Sequence, residues 1–525
     1  MQIITKEAAA ALVPDRATVL IGGSGAGHAV PEALMAAIET RFLAEAHPTK
    51  ITSLHPVGLG ERNALGANHF AHEGLLKRIV CGTLVDAPKV AALASADRIE
   101  AYTLPQGALS QLMRDMAGGR PGLITHVGLN TFVDPRHEGG RQSACSREDL
   151  VEVVEVGGRE WLFYKPFHID VALLRGTTAD EDGNVSMEEE AVWGEMLSMA
   201  QATRRCGGKV IVQVKRIAKA GTLNPKTVKI PGILVDHVVV EPDQMQTYQT
   251  AYNPSFAGEI RVPLSGFPRL PLDARKIVAR RCAMEIEPKM ICNIGAGICT
   301  GIGLVAAEER VLGNFVLTNE QGLIGGAPAA GLEAGAAWNY DAMVDQPYQF
   351  DFYDGGGLDL AFLSFVEIDP SGSVNISRFK DRIIGIGGFV NISQNARTMV
   401  FSGTFTAGGL EVATRDGALH VVTEGRHRRF VSAIEQLTFN APYGASRGQR
   451  VKYVTERAVF HATTEGLELV EIAPGISLER DVLAHMDFRP AIAADLKEMD
   501  ARLFRDEPMG LSLDGTKVQP AASAC

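Results

Sequence analysis

Two stretches of the chain repeat each other in register, and this repeat narrows the possible folds more than any other feature. Ile169-Asp-Val-Ala-Leu-Leu-Arg175, followed by Asp180-Glu-Asp-Gly-Asn-Val185, returns 189 positions later as Leu358-Asp-Leu-Ala-Phe-Leu-Ser364, followed by Asp369-Pro-Ser-Gly-Ser-Val374. No gap is needed: Asp170 aligns with Asp359, Ala172 with Ala361, Gly183 with Gly372 and Val185 with Val374. At other offsets Ile21-Gly-Gly-Ser-Gly25 answers Ile294-Gly-Ala-Gly297, and Leu104-Pro-Gln-Gly107 loosely answers Asn319-Glu-Gln-Gly322. Around these copies, apolar runs of strand length such as Lys209-Val-Ile-Val-Gln-Val214 alternate with helix patterns, which signals parallel sheets. The predicted fold is α/β: two related open domains with largely parallel sheets, and a ligand cleft where they face each other.

Length and punctuation divide the chain. At 525 residues it is too long for one ordinary core. Prolines 242, 254, 263, 268 and 271 interrupt the α/β pattern, so residues 242–271 read as an inter-domain connection between domains 1–241 and 272–525. Asp273 is placed to cap a new helix, and a new strand follows at Met290-Ile-Cys-Asn-Ile294. Ser477 is a second expected cap, ahead of two short helices. Further expectations are a helix over 188–205, a strand over 311–317, a helix over 108–116 with Gln106 at the strand tip before it, and a frayed end at 518–525.

Charge and cysteines exclude several classes of function. A net charge of −11 argues against general nucleic-acid or anionic-membrane binding. Nothing reaches 18 consecutive apolar residues, and the start lacks a basic stretch leading into an apolar run, so no membrane span and no signal peptide are expected. The seven cysteines are odd in number and scattered; Cys292 and Cys299 are close but have no familiar metal spacing. Free thiols in a reducing, cytoplasmic compartment follow from this, with no metal site.

The chemistry points to one carboxylate. Glu320 follows an apolar strand and precedes Gly322, Gly325 and Gly326. Glycines at a strand end let a ligand or another backbone approach, and α/β sheets bind ligands at the carboxyl ends of their strands. A glycine-rich turn carrying a solvated glutamate fits the same residues. Gln106 at another tip can hydrogen-bond a carboxylate or an oxyanion, or cap its helix. The loop from Gly22 through Gly25 aims backbone N–H groups at an anion, but a dinucleotide fingerprint would need glycine where His28 stands. Gly385, Gly387 and Gly388 form a third loop, able to admit a chain-like ligand or simply to turn the chain.

Taken together these motifs resemble the family I coenzyme A transferases, most nearly the single-chain propionate or acetate type. The stretches that carry the resemblance are Gly22-Gly-Ser-Gly-Ala-Gly27, Pro105-Gln-Gly107, the polar loop 128–140, Thr318-Asn-Glu-Gln-Gly-Leu-Ile-Gly-Gly326, Phe350-Asp-Phe-Tyr-Asp-Gly-Gly-Gly-Leu-Asp359, Gly385-Ile-Gly-Gly-Phe-Val-Asn-Ile392 and Phe401-Ser-Gly-Thr-Phe-Thr-Ala-Gly-Gly409. The resemblance implies that Glu320 attacks a short-chain acyl-CoA and becomes a glutamyl-CoA thioester, which a second carboxylic acid resolves. Coenzyme A is then substrate and covalent intermediate, with no permanently bound cofactor. Gly385, Gly387, Gly388 and Gly322 would lie along the coenzyme, and Gln106 and Gly25 near the acyl carboxylate. A homotetramer is implied as well. An acyl-CoA hydrolase or lyase subunit on the same scaffold, or a non-catalytic ligand-binding α/β protein, remain the alternatives.

Overall fold

The computed structural model describes residues 1–25, 27–263 and 269–513; Pro268 and the 518–525 tail with its Cys525 lie outside these. Eight strands form the first sheet: β1 (Gln2–Ile3), β2 (Thr18–Ile21), β3 (Ile51–His55), β4 (Leu76–Cys81), β5 (Glu100–Thr103), β6 (Val171–Arg175), β7 (Lys209–Val214) and β8 (His237–Val240). They lie in the order β1-β8-β7-β6-β2-β3-β4-β5, and every neighbouring pair is parallel.

The second sheet contains β9 (Ile291–Ile294), β10 (Val316–Asn319), β11 (Leu323–Ile324), β12 (Ala342–Met343), β13 (Leu360–Ser364), β14 (Thr398–Ser402), β15 (Arg450–Val454), β16 (Ala458–Thr463), β17 (Gly466–Ile472) and β18 (Ala491–Glu498). Their order is β12-β11-β10-β9-β13-β14-β15-β16-β17-β18. The five from β10 to β15 are parallel; antiparallel pairs flank them on either side, and the last strand, β18, runs parallel to β17.

The shared part of the two sheets explains the repeat. Strands β3-β2-β6-β7-β8 and β10-β9-β13-β14-β15 have one topology, second-first-third-fourth-fifth in chain order. In such sheets the crevice for ligand opens beside the first strand, where the winding direction reverses. The repeated aspartate fixes that junction in both halves: Asp170 accepts from the Thr18 N–H at 2.8 Å, and Asp359 from the Ile291 N–H at 3.0 Å. In each turn that follows, one aspartate oxygen takes two backbone N–H groups: Asp180 those of Asp182 and Asn184, and Asp369 those of Ser371 and Ser373. Gly183 and Gly372 complete these turns with φ of 88° and 84°, a region that suits glycine.

Several local expectations change. The helix expected over 188–205 is only Met196–Arg205; Gly194 has a φ of 59°, and Glu188, Glu189 and Glu190 are drawn to Arg216, Lys215 and Arg175 instead. The strand expected over 311–317 is Val316–Asn319, preceded by a 3₁₀ turn at Leu312–Asn314. Gln106 is not at a strand tip but opens a helix, α1 (Gln106–Ala117). The correspondence of Gln106 with Glu320 also fails. Glu320 follows β10, whose counterpart is β3, whereas Gln106 follows the edge strand β5. The two caps hold: Asp273 accepts from the Lys276 N–H at 3.0 Å and Ser477 from that of Arg480 at 3.4 Å.

The described part of the Pro-rich stretch is packed against both halves. Tyr248 donates to Glu32 at 2.8 Å, Thr250 bonds Glu333, and the Val262 N–H reaches Asn339 at 2.8 Å. Phe256 is buried against Ala191, Ala329 and Ala336, with Trp338 5.3 Å away between ring centres.

Candidate active site

A cavity of about 320 Å³ lies between the two halves at the carboxyl ends of their strands. Gly25, Gln106, Glu320, Gly385, Gly387 and Gly388 all line it. Gly322 does not. Its φ is 105° and the Val344 carbonyl fills the space where a side chain would begin, so this glycine serves the turn beneath the cavity rather than a ligand. Two other carboxyl residues of this half, Glu333 and Asp354, are also absent from the lining. Glu333 bonds Thr250, and Asp354 is held by Gln111 at 2.9 Å and Asn391 at 3.0 Å.

Strand β10 delivers Glu320. Its neighbour Asn319 bonds the Gly335 carbonyl at 2.9 Å and accepts from the Gln321 N–H at 3.0 Å, which fixes the tip. Glu320 is half-buried, open to the cavity yet crowded by protein. Loss of hydration pushes its pKa up to about 7, and the one opposing contact is a 3.3 Å hydrogen bond from the Gln321 amide. A carboxylate with a single weak donor is poorly solvated, which makes it available as a nucleophile.

The loop containing Gly388 approaches Glu320 from the front and is tied to the first half. The Ile386 and Gly387 N–H groups both donate to the Gly82 carbonyl at 2.8 Å, and the Leu84 N–H returns a bond to Ile384 at 2.8 Å. Gly387 accepts from the Gln106 N–H at 2.9 Å. The loop does not close a hairpin; it leads into helix α2 (Phe389–Asn395). Gly388 is required for a plain steric reason: a Cβ there would fall on the Glu320 carboxylate and stand 3.2 Å from the Phe350 ring. Among the backbone bonds of residues 384–389 within the described chain, the Gly388 N–H is the one with no acceptor. It is thus an N–H left without an acceptor in the loop that faces the Glu320 carboxylate, and such a donor can serve a developing oxyanion.

From the first half come the Gly25 loop and Gln106. Gly25 has a φ of 39°, and a Cβ there would meet the Ala334 carbonyl in ordinary contact at 3.9 Å. His28, the residue that breaks the dinucleotide fingerprint, joins the halves here. It is fully buried, its Nε2 donates to the Ala334 carbonyl at 3.0 Å, and Gly335 must be glycine because the imidazole occupies the space. Burial lowers its pKa to about 4, so it stays neutral. Three further polar residues are buried on this axis without having been singled out by any motif: Asn293 on the cavity wall, and Gln346 and Glu195 behind Gln106. No His, Cys, Asp and Glu group among the described residues is arranged to hold a metal ion, and no helix among them is long and apolar enough to cross a membrane.

Known proteins resemble this chain over nearly all of its length. Residues 3–241 match the family model described as coenzyme A transferase. The acetate CoA-transferase YdiF of Escherichia coli strain K12 is 42% identical over 512 residues, 97% of this chain and 96% of that protein. The caffeate CoA-transferase of Acetobacterium woodii is 44% identical over 519 residues, 97% and 98% of the two chains. A crystal structure of the acyl-CoA transferase of Escherichia coli O157:H7, in a thioester complex with CoA, matches with a TM-score of 0.93 and 41% identity over 98% of both chains.

Proposed function

This chain belongs to the coenzyme A transferases, and we propose that Glu320 is the residue on which it carries the coenzyme between an acyl-CoA and a carboxylic acid. The observation that carries the assignment is the Glu320 carboxylate in the inter-sheet cavity, lying in the space that Gly388 leaves free. In the first step a Glu320 oxygen attacks the thioester carbonyl, the C–S bond breaks, and a mixed anhydride forms with release of CoA thiolate. The thiolate then attacks the glutamyl carbonyl, giving the enzyme–CoA thioester and freeing the first acid. A second carboxylate reverses both steps. Each addition places negative charge on a carbonyl oxygen, and a positioned N–H such as that of Gly388 stabilises it by about 3 kcal/mol. Splitting the exchange into two additions at one carboxylate is nucleophilic catalysis.

The cavity has to take the thioester end of pantetheine and the acyl group within about 320 Å³, which supports an acid of a few carbons such as acetate or propionate. A panel of acids up to the size of caffeate tests that limit. Family resemblance further supports a homotetramer working in the cytoplasm; a particle of monomer mass in light scattering would refute the assembly. Residues 1–241 and 272–525 form the two domains in this reading, with 242–271 as the connection, since the first sheet draws its strands from 2–240 and the second from 291–498.

Incubation with acyl-CoA and no acceptor acid should add the mass of CoA, less water, to the peptide containing Glu320. Borohydride should then reduce the thioester and inactivate the enzyme. Glu320→Ala should lose both adduct and turnover. An adduct on Glu333 or Asp354 would overturn the assignment.

A further inference from the structure

Behind the cavity, three helix starts bring four polar side chains together in a place that water does not reach. Gln106 and Ser110 are one turn apart on α1. Glu195 immediately precedes the helix Met196–Arg205. Gln346 opens the helix Gln346–Asp354 of the other half, and its N–H donates to the Gly194 carbonyl at 2.9 Å, next to Glu195. None of the four is more than 1% exposed. Only Gln106 among them lines the cavity.

An amide side chain has a donor end and an acceptor end of almost the same shape, so its orientation is decided by its neighbours. Here the neighbours form a chain with one sense. Ser110 Oγ donates to Glu195 Oε2 at 2.8 Å, and Gln346 Nε2 donates to the same oxygen at 2.8 Å. Having committed its nitrogen to Glu195, Gln346 meets Gln106 with its oxygen. Gln106 must therefore offer Nε2, and does so at 3.3 Å. Its own Oε1 then lies on the Gly387 side.

We propose that Glu195, acting through Gln346, sets which end of the Gln106 amide faces the cavity, and is thereby a positioning residue for the group opposite Glu320. The inference rests on the transferase reading of the site. A carboxyl suits the task because Oε2 accepts from both neighbours when the group is ionised, and also in the neutral acid that carries its proton on Oε1. Glu195 Oε1 has no partner, and it needs none for the chain to keep its sense. Burial, against the opposing Ser110 bond, raises the Glu195 pKa to about 8, so the neutral acid is the prevailing form at pH 7. In that form the network orients Gln106 without placing a second negative charge behind the nucleophile.

The test is a pair of double-mutant cycles on the full-length enzyme. Glu195→Leu and Gln346→Met each remove the relay, and Gln106→Ala removes the group it acts on. The rate of adduct formation on the Glu320 peptide and the overall transfer rate should fall on the order of 10- to 100-fold in either single variant, as for a misdirected catalytic group. Both losses should vanish in the Gln106→Ala background, because the group being oriented is gone. A general packing role would instead multiply with Gln106→Ala, and that result, or a wild-type rate in Glu195→Leu, would overturn the inference. Gln346→Met, checked for an unchanged melting temperature, gives the same decision should Glu195→Leu fail to fold. If the wild-type adduct maps to another residue, the nucleophile assignment fails, while the transfer rates still decide the coupling of positions 195 and 106.

Discussion

Gly388→Ala separates the chemistry from the fold with one methyl group. The backbone permits it: Gly388 has a φ of −82°, ordinary for alanine. What it meets is the Glu320 carboxylate, well inside the 3.0 Å that real Cβ atoms keep. The carboxylate is the free end of a flexible side chain, so it can yield while the backbone stays in place. To reach even the 3.4 Å of ordinary contact it must retreat by more than ~1 Å, and a shift of ~1 Å in a reacting group already costs on the order of 100-fold. That equals about 2.7 kcal/mol of transition-state stabilisation. The fold should lose much less, about 1 kcal/mol or under, as for a substitution without a buried defect. The assay is adduct formation on the Glu320 peptide after rapid mixing with acyl-CoA, read beside thermal unfolding. A well-folded Gly388→Ala enzyme that forms the adduct within about threefold of the wild-type rate would refute the reasoning, since the nucleophile would not need that space.

Other positions should respond differently. Gly322→Ala places its Cβ against the Val344 carbonyl at a φ of 105°, so it should unfold the protein or lower its melting point sharply before any effect on chemistry is measurable; normal stability would contradict the packing described. Glu320 has a folded pKa of about 7, above its unfolded value, so the folded state holds the extra proton between about pH 4.5 and 7 and loses relative stability as pH rises through that window. Glu320→Gln should therefore gain stability over wild type at pH 8 compared with pH 5, and the first half-reaction of the wild type should speed up as pH rises towards 7. For His69, burial works against the charged form, but bonds to Glu32 and Glu39 outweigh it and raise the pKa. Its contribution is complete below about pH 6.5 and is lost as pH rises through the raised value, so the destabilisation by His69→Gln should shrink at alkaline pH. Tyr248→Phe removes the bond to Glu32 and should cost about 1 kcal/mol, with faster hydrogen exchange in residues 242–263.

The sequence by itself determined the duplicated α/β architecture and the identity of the nucleophile candidate. The reason is local: Asp170 and Asp359, and the turns at Asp180 and Asp369, do their work through backbone bonds spanning a few residues or one neighbouring strand, and such geometry leaves the same residues at the same spacing in both halves. Glu320 was legible because a strand, a carboxylate and glycines follow one another along the chain. Only the tertiary structure decided what each glycine is for. Gly388 makes room for a carboxylate 68 positions away, whereas Gly322 makes room for a carbonyl and never meets the cavity. It likewise brought Gln106, at the start of α1, into the cavity that Glu320 lines, and set Glu195 and Gln346 behind it. Those partners are 89 and 240 positions from Gln106, and their hydrogen bonds depend on three helix starts meeting in space, for which no spacing along the chain provides a signal.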